Sequence, residues 1–457
     1  MPEVSPTRDV RGFDAYVDAR RDEFVAALAD LCRRPCISAQ GIGTAETARY
    51  VAALLDGVGA RTRLLETDGA PLVYAEAGSG GRSLLIYNHY DVQPPEPLDE
   101  WTSPPFEPET RDGKLYARGV ADNRGDLLAR ILAVRAWQET MGPLPLRLRW
   151  LIEGEEEVGS PALPAAVRRY RDLLGADGCL WECGGLDEED RFEISLGVKG
   201  DYYADVVVEG PAYDLHSSLA AIVPNPAWRL VWALGTLKDP DDRITIDGFM
   251  ERVRPASPAE EALLADLPLA EDGMRAELGV AAFVNGLTGT ELKRKYLFEP
   301  TCTISGIIAG YTGEGSKTVM PARASAKLDI RLVPGLDPKT VDTLLRAHLD
   351  RRGFSDVMVR QTDGGLRAVR SDPDSAVVAA AIAAARPLYG EPAVSPNAAG
   401  SGPMDSIGED LGLPIVMAGG IGYPGARAHA PNENIRIDDF IAGIKYIARL
   451  FDRFANT

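Results

Sequence analysis

The chain has 457 residues, 45% apolar and 26% charged, and carries 49 basic against 68 acidic side chains for a net charge of −19. That excess argues against nucleic acid and anionic membrane surfaces as partners, and it leaves carboxylates to spare for holding cations. The length allows two or three domains with a large core.

In chain order, the N-terminal stretch MPEVSPTRDVRGFDAY is polar and lacks the apolar segment of a secretory signal. Residues 13 to 34 then predict one amphipathic helix, with Phe13, Tyr16, Val17, Phe24, Leu28 and Leu31 at helical spacing. A second helix is expected over 45–58, ending at Gly57 and Gly59. SLLIYNHYDV (83–92) reads as a buried strand running into a loop, and a helix begins near Gly125. LRLRWLI (146–152) alternates as a strand, and GCLWEC (178–183) is a further short one. Strands alternating with helices indicate an α/β domain with a largely parallel sheet, whose ligands bind beyond the carboxyl ends of the strands.

The pattern changes near SLGVKGDYYADVVVEG (195–210), which opens a long insert. The insert holds a helix with two tryptophans (PAWRLVWALGTL), an acidic helical stretch over 258–277, and the strands TCTISGIIAG and SAKLDIRLVP. After DPKTVDTLLRAHLDRRG and a polar link near 363–374, SAVVAAAIAAARPLYG resumes a helix and LPIVMAGG a strand. The expected architecture is a split α/β catalytic domain, 1–196 and 369–457, with an inserted α+β domain over 197–368. No apolar run reaches the length of a membrane span. The five cysteines, Cys32, Cys36, Cys179, Cys183 and Cys302, are odd in number and read as reduced thiols in a cytoplasm. Their gaps are not the two-residue knuckles of a four-cysteine zinc site.

EGEEEVGS (153–160) raises the chemical question, because it sets Glu155, Glu156 and Glu157 side by side directly after an apolar strand. A solvated loop or the first turn of a helix would tolerate them; so would a cation among them. The four histidines are His89, His216, His348 and His429. His89 follows a strand in NHYD, with Asp91 placed to orient its ring, and His429 sits in a Gly/Pro-rich loop after another strand. His348, flanked by Arg and Asp in a helix, reads as solvated. Asp122 in ARGVADNRGD serves as a helix N-cap or a ligand, and Glu182 in LWECGG as a solvated loop carboxylate or a ligand. Strand ends thus present His89, Asp122, Glu156/Glu157 and Glu182 in order, with His429 at a fifth. Five donors suffice for two divalent ions with a shared bridge, and one carboxylate is left over as a general base.

As an ordered set these stretches resemble the dinuclear metallopeptidase family of carnosinases, cytosolic non-specific dipeptidases, aminoacylases, acetylornithine deacetylase and succinyl-diaminopimelate desuccinylase. The resemblance rests on His-x-Asp at 89–91, RGVADNRG at 118–125, EEVGS at 156–160, WE at 181–182, DLHSS at 214–218, DIRLVP at 329–334 and HAPNE at 429–433. It implies that His89, Asp122 and Glu182 hold one metal and that Asp122, Glu157 and His429 hold the other. It further implies that Asp91 orients His89 and that Glu156 is the general base, with Glu155 the variable neighbour. His216 would reach the active site of a second subunit and steady the oxyanion, so the chain would be a homodimer through its inserted lid. Arg331 would receive the substrate carboxylate, a task suited to a guanidinium. Two divalent ions per chain are implied, zinc first, with manganese or cobalt as alternatives.

The chain departs from the family twice. Asp122-Asn123-Arg124-Gly125 stands where the family has Asp-Lys-Gly, with Arg124 keeping the lysine's charge. NAAGSGPM (397–404) keeps Gly400 and Ser401 for substrate binding but lacks the Arg-Glu pair of the dipeptidase branch. The expected activity is hydrolysis of the amide of a dipeptide or similar small peptide. The alternatives are an N-acyl-amino-acid amidohydrolase on the same centre, and a metal-bound protein without catalysis, which the intact Glu156 disfavours.

Overall fold

The computed structural model describes residues 8–362 and 364–457. The first seven residues of the polar N-terminus and Asp363 of the polar link lie outside the described residues.

The single helix expected over 13–34 is two, α1 (Arg11–Ala19) and α2 (Arg21–Cys32). Arg20 leaves the helical region at φ −112°, ψ 16°, and its guanidinium stacks 3.7 Å from the centroid of the Tyr16 ring. Next, α3 (Thr44–Gly57) starts from Gly43, whose φ is +71°; a Cβ there would lie 2.0 Å from the Pro35 carbonyl, so only glycine fits. The strands β1 (Arg61–Leu65), β2 (Leu72–Ala77) and β3 (Ser83–His89) follow. Then come α4 (Gly125–Met141), β4 (Arg147–Glu153), β5 (Gly178–Trp181) and β6 (Glu193–Ser195).

In the insert, β7 (Gly197–Glu209) and α5 (Pro226–Leu234) precede the acidic stretch. That stretch is two helices, Pro258–Asp266 and Glu271–Leu278, because Pro268 cannot continue the first. After them come β8 (Thr303–Ala309), β9 (Arg323–Leu332), α6 (Pro338–Arg351) and β10 (Met358–Gln361). The chain ends with α7 (Ala376–Tyr389), β11 (Ala393–Ser395), β12 (Ala398–Ser401), β13 (Ile415–Met417) and α8 (Ile437–Ala455).

Contacts divide the chain into two compact units, one of residues up to Gly197 with Arg370–Pro396 and Ser406–Thr457, the other of Val198–Val369 with Asn397–Asp405. The last segment corrects the sequence reading, which gave all of 369–457 to the catalytic domain. β12 pairs in parallel with β7, and the Ser401 hydroxyl donates to the Gly200 carbonyl at 3.1 Å, so Asn397–Asp405 belongs with the second unit.

The first unit is built on an eight-stranded sheet of order β1-β2-β4-β3-β5-β13-β6-β11. β4, β3, β5 and β13 run parallel, while β1 and β2 add an antiparallel edge. The parallel strands are apolar almost throughout because both faces are covered. α8 packs on both α4 and α7, and α7 also packs on β5 and β13. α4 is buried nearly all round, which explains an apolar sequence without a polar stripe.

The second unit is an antiparallel sheet of order β8-β9-β7-β10. Its core joins Val206, Val208, Leu328 and Ile330 to Leu230 of α5 and Leu345 of α6. His348 corrects the sequence reading, since it is buried rather than solvated. Its ring accepts from the Asp247 amide at 3.2 Å and lies 3.0 Å from the Thr236 carbonyl, so it staples α6 to the segment that follows α5. Among the described residues no helix is long and apolar enough to cross a membrane.

Candidate metal centre

The site grows from the carboxyl ends of β3, β4 and β5. Arg130 of α4 fixes the ends of β3 and β5: buried, it donates to the Tyr87 carbonyl (2.8 Å), the Asn88 side chain (2.9 Å) and the Trp181 carbonyl (2.6 Å). His89 is the last residue of β3 and is fully buried. Its Nδ1 lies 3.3 Å from Asp91 Oδ1, and its Nε2 lies 3.0 Å from Asp122 Oδ1 and 3.7 Å from Glu182 Oε2. Asp91 has a second task. Its carboxylate accepts from the backbone amides of Glu156 (3.3 Å) and Glu157 (3.2 Å), which caps the turn after β4 and aims both side chains.

That turn separates the three glutamates. One ligand atom each from His89, Asp122 and Glu157 lie within 4.8 Å of one another, and so do those of His89, Glu156 and Glu182. Glu155 lies apart over Gly69, where a Cβ would come within 2.2 Å of its Oε2. Gln93 donates to Glu157 Oε2 at 2.9 Å, and Asn123 donates to Glu182 Oε2 at 3.1 Å.

Asp122 is not at the end of a sheet strand, as the sequence suggested. It lies in the irregular turn Val120–Arg124 that enters α4. Four donors on Glu433 hold that turn: Arg118 Nη1, Gly119 N and Ala121 N at 2.8 Å each, and Asp122 N at 3.1 Å. Glu433 closes the loop that carries His429, so one buried carboxylate ties two loops of the site together. His429 has a left-handed φ of +62°, and its Nε2 lies 3.1 Å from Asp122 Oδ2 and 3.3 Å from Glu157 Oε2. Asp122 therefore turns Oδ1 to one histidine and Oδ2 to the other.

Burial and mutual charge shift the titration of the cluster. Burial pushes Glu156 up to about 7, with the charges of Asp122 and Glu157 adding to it and His89 opposing. Burial likewise holds Glu182 well above the carboxylate range. Hydrogen bonds to Asp122 and Glu157 raise His429 to about 10. Burial disfavours a charged His89, yet the Glu182 charge and the bonds to Asp122 and Asp91 raise it well above the ordinary imidazole value. The buried arginines nearby do not supply the missing charge. Arg118 is taken by Glu433, Arg130 by carbonyls and Asn88, and Arg124 by the carbonyls of Leu31 and Tyr90. Arg124 therefore keeps the charge of the expected lysine but spends it on packing. Divalent ions fit this donor set: four carboxylates and two imidazoles converge, and among the described residues no arginine or lysine pairs with those carboxylates.

The remaining sequence-derived residues lie in the second unit. His216 is exposed, and its Nδ1 faces the Ser218 hydroxyl (2.9 Å) and amide (3.2 Å). Arg331 on β9 donates to the Ser401 hydroxyl at 2.8 Å and pairs with Asp329 at 3.2 Å, so these two candidates for substrate binding meet. Gly400, beside Ser401, is exposed. Sequence reasoning gave no role to Gln93, Arg118, Asn123, Arg130 or Glu433. Glu433 stands four residues after His429 within the HAPNE motif, and Arg118 and Asn123 lie within RGVADNRG, which were the available signals.

Comparison with known proteins agrees with this geometry. A structure of an M20 family metallo-carboxypeptidase from Sulfolobus solfataricus superposes with a TM-score of 0.87 at 39% identity, covering 95% of this chain and 99% of that one. Human carnosine dipeptidase 1 superposes with a TM-score of 0.78 at 28% identity, covering 99% and 100%. The Beta-Ala-His dipeptidase of Rattus norvegicus is 29% identical over 95% of this chain and 94% of its own. Residues 85–453 match the model of Peptidase family M20/M25/M40, and the chain belongs to that family.

Proposed function

We propose that this hydrolase is a metal-dependent dipeptidase working through a pair of divalent ions. The observation that carries the reading is Asp122, whose two oxygens face His89 and His429 separately with further carboxylates on each side. His89, Asp122 and Glu182 would hold one ion, and Asp122, Glu157 and His429 the other, zinc being the first choice for such a mixed set. When bound, the ions would polarise the scissile carbonyl and acidify a water. Glu156 takes the proton of the attacking water on its carboxylate and passes it to the leaving amine, a role suited to a group that exchanges protons near neutrality. Asp91 keeps His89 in the tautomer that leaves Nε2 free. Arg331, with Ser401 and Gly400, receives the substrate's carboxylate, and His216 donates to the oxyanion.

A homodimer through the second unit, with His216 serving the partner's site, belongs to the same reading. It is supported by apolar surface on two elements of that unit. Ile304, Ile307 and Ile308 are 47–65% exposed on the edge strand β8, and Trp228 and Trp232 are each 58% exposed on α5. Bare apolar edge strands invite pairing. Five free thiols suit a cytoplasmic setting.

A second reading is removal of the last residue from longer or N-acylated substrates. One observation favours it: the Sulfolobus relative is named a metallo-carboxypeptidase. One panel decides between the readings. The zinc-loaded protein is given free dipeptides, N-acetyl dipeptides, tripeptides and N-acyl amino acids, and amine release is measured. The dipeptidase reading requires free dipeptides to be cleaved best. Metal content should approach two equivalents and fall for both ions in Asp122→Ala; one retained equivalent with normal turnover would overturn the bridge.

A further inference from the structure

Asp122 also lines a cavity of about 480 Å³ within the first unit, formed by the turn after β5, Glu193 on β6 and the loop 422–428. Its lining has two kinds of surface. Leu186, Tyr423 and Pro424 give it apolar walls, while Asp126, Asp187, Glu188 and Glu193 give it carboxylates, and among the described residues no basic side chain lines it. Arg191, on the same turn, is already held by Asp187 (2.7 Å) and Glu189 (2.8 Å).

Asp126 separates this cavity from an ordinary acidic surface. It sits in the first turn of α4, is 2% exposed, and its Oδ2 has no hydrogen-bond partner among the described residues. The backbone clamps it in place, since a Cβ on Gly419 would lie 2.0 Å from its Oδ1. Buried polar groups in folded proteins are nearly always satisfied, so a fixed, unpartnered carboxyl at a cavity wall calls for a partner from outside the chain. Burial pushes Asp126 up to about 7 against the opposing charge of Arg130, and burial also raises Glu193.

We propose that this cavity is a subsite for a cationic side chain, an ammonium or guanidinium on an aliphatic stem, on the substrate residue that supplies the scissile carbonyl. The apolar walls take the stem, Asp126 the buried end of the charge, and Glu188 and Glu193 its exposed side. The assignment to the acyl side rests on the proposed function, in which Arg331 and Ser401 take the carboxylate end and the carbonyl reacts beside Asp122. Side chains that carry both features are those of lysine, arginine and ornithine.

The test compares Arg-Gly with citrulline-Gly, which has nearly the same shape without the charge. With zinc-loaded enzyme, kcat/KM should favour Arg-Gly by about tenfold or more, as a charged hydrogen bond allows. Asp126→Asn should bring the ratio to within about twofold, and Glu188→Gln, a change at an exposed position that the fold tolerates, should lower it by about threefold. Equal rates for the two dipeptides in the wild type, or an unchanged ratio in both variants, overturn the subsite. If no dipeptide is cleaved, the dipeptidase reading fails by itself, and calorimetry with argininamide and citrullinamide then decides the subsite. Tighter binding of argininamide that is lost in Asp126→Asn supports it, and equal binding overturns it.

Discussion

Glu433→Gln is the substitution that asks most of the site's architecture. The carboxylate accepts four hydrogen bonds, two on each oxygen, and all four partners are donors. Burial raises its pKa, while Arg118 and the three amides pull it back toward the ionised form. An amide in its place must turn its NH2 toward one pair of donors, whichever way it is flipped. Two buried donors then lose their partner at about 1–3 kcal/mol each, which agrees with about 3–5 kcal/mol for breaking a buried ion pair such as Arg118–Glu433. We expect a loss of about 3 kcal/mol of unfolding free energy in urea, a large part of a typical domain's stability. The same amide-to-carboxylate bond sets the turn that presents Asp122, so zinc affinity measured by chelator competition should fall by about 10–100-fold. A variant within about 0.5 kcal/mol of wild type and with unaltered zinc affinity would refute the reasoning, because such losses are ordinary for surface changes only.

Three further outcomes follow from the same geometry. Glu156→Gln should bind zinc nearly as well as wild type while losing about 10²–10⁴-fold in kcat, whereas Glu157→Gln should lose metal affinity first; exchanged phenotypes in metal analysis and kinetics would shift the register by one residue. Zinc affinity should climb as pH rises from 6 to 9, with protons released on binding: His429, raised to about 10, and His89, also raised, must give up a proton to become ligands. A flat affinity over that range would contradict it. His216→Ala should lower turnover by about 10²–10³-fold with metal content intact, and mixing it with Glu156→Gln subunits should restore activity toward half of wild type per mixed dimer. No recovery despite demonstrated subunit exchange would place the histidine in its own subunit's site or outside the chemistry.

How far the sequence reached depended on the kind of signal. The strands β3, β4 and β5 stood out because burial on both faces demands unbroken apolar runs, and the polar residues that ended them marked the site. His89, Glu156, Glu157 and Glu182 were legible for that reason. Asp122 was also singled out as a candidate donor, but its placement was not legible, since Glu433, more than three hundred residues away, shapes its turn. The break at Arg20 was hidden because the apolar spacing continues across it. His348 was misread because its neighbours in sequence are charged, while its burial comes from Thr236 and Asp247, which no local pattern brings near. The boundary at Asn397 was missed because the pairing of β12 with β7 is also long-range.

The charges of the first unit are divided in a way that explains the glutamate triplet. Each buried arginine near the centre has its own partners: Arg118 has Glu433, Arg124 bridges α2 to the loop after β3, and Arg130 gathers the strand ends. They hold the frame rigid and leave the converging acids without a fixed counterion. Had one of those guanidiniums turned inward, the cluster would form a closed ion-pair network, with its oxygens committed and its acids held low. Instead burial pushes Glu156 and Glu182 up, and the neighbouring carboxylates push the two histidines up with them, a strain that divalent ions would relieve. A chain that keeps three glutamates together after a buried strand, and sends only two of them inward, has its acids where a pair of divalent ions would need them.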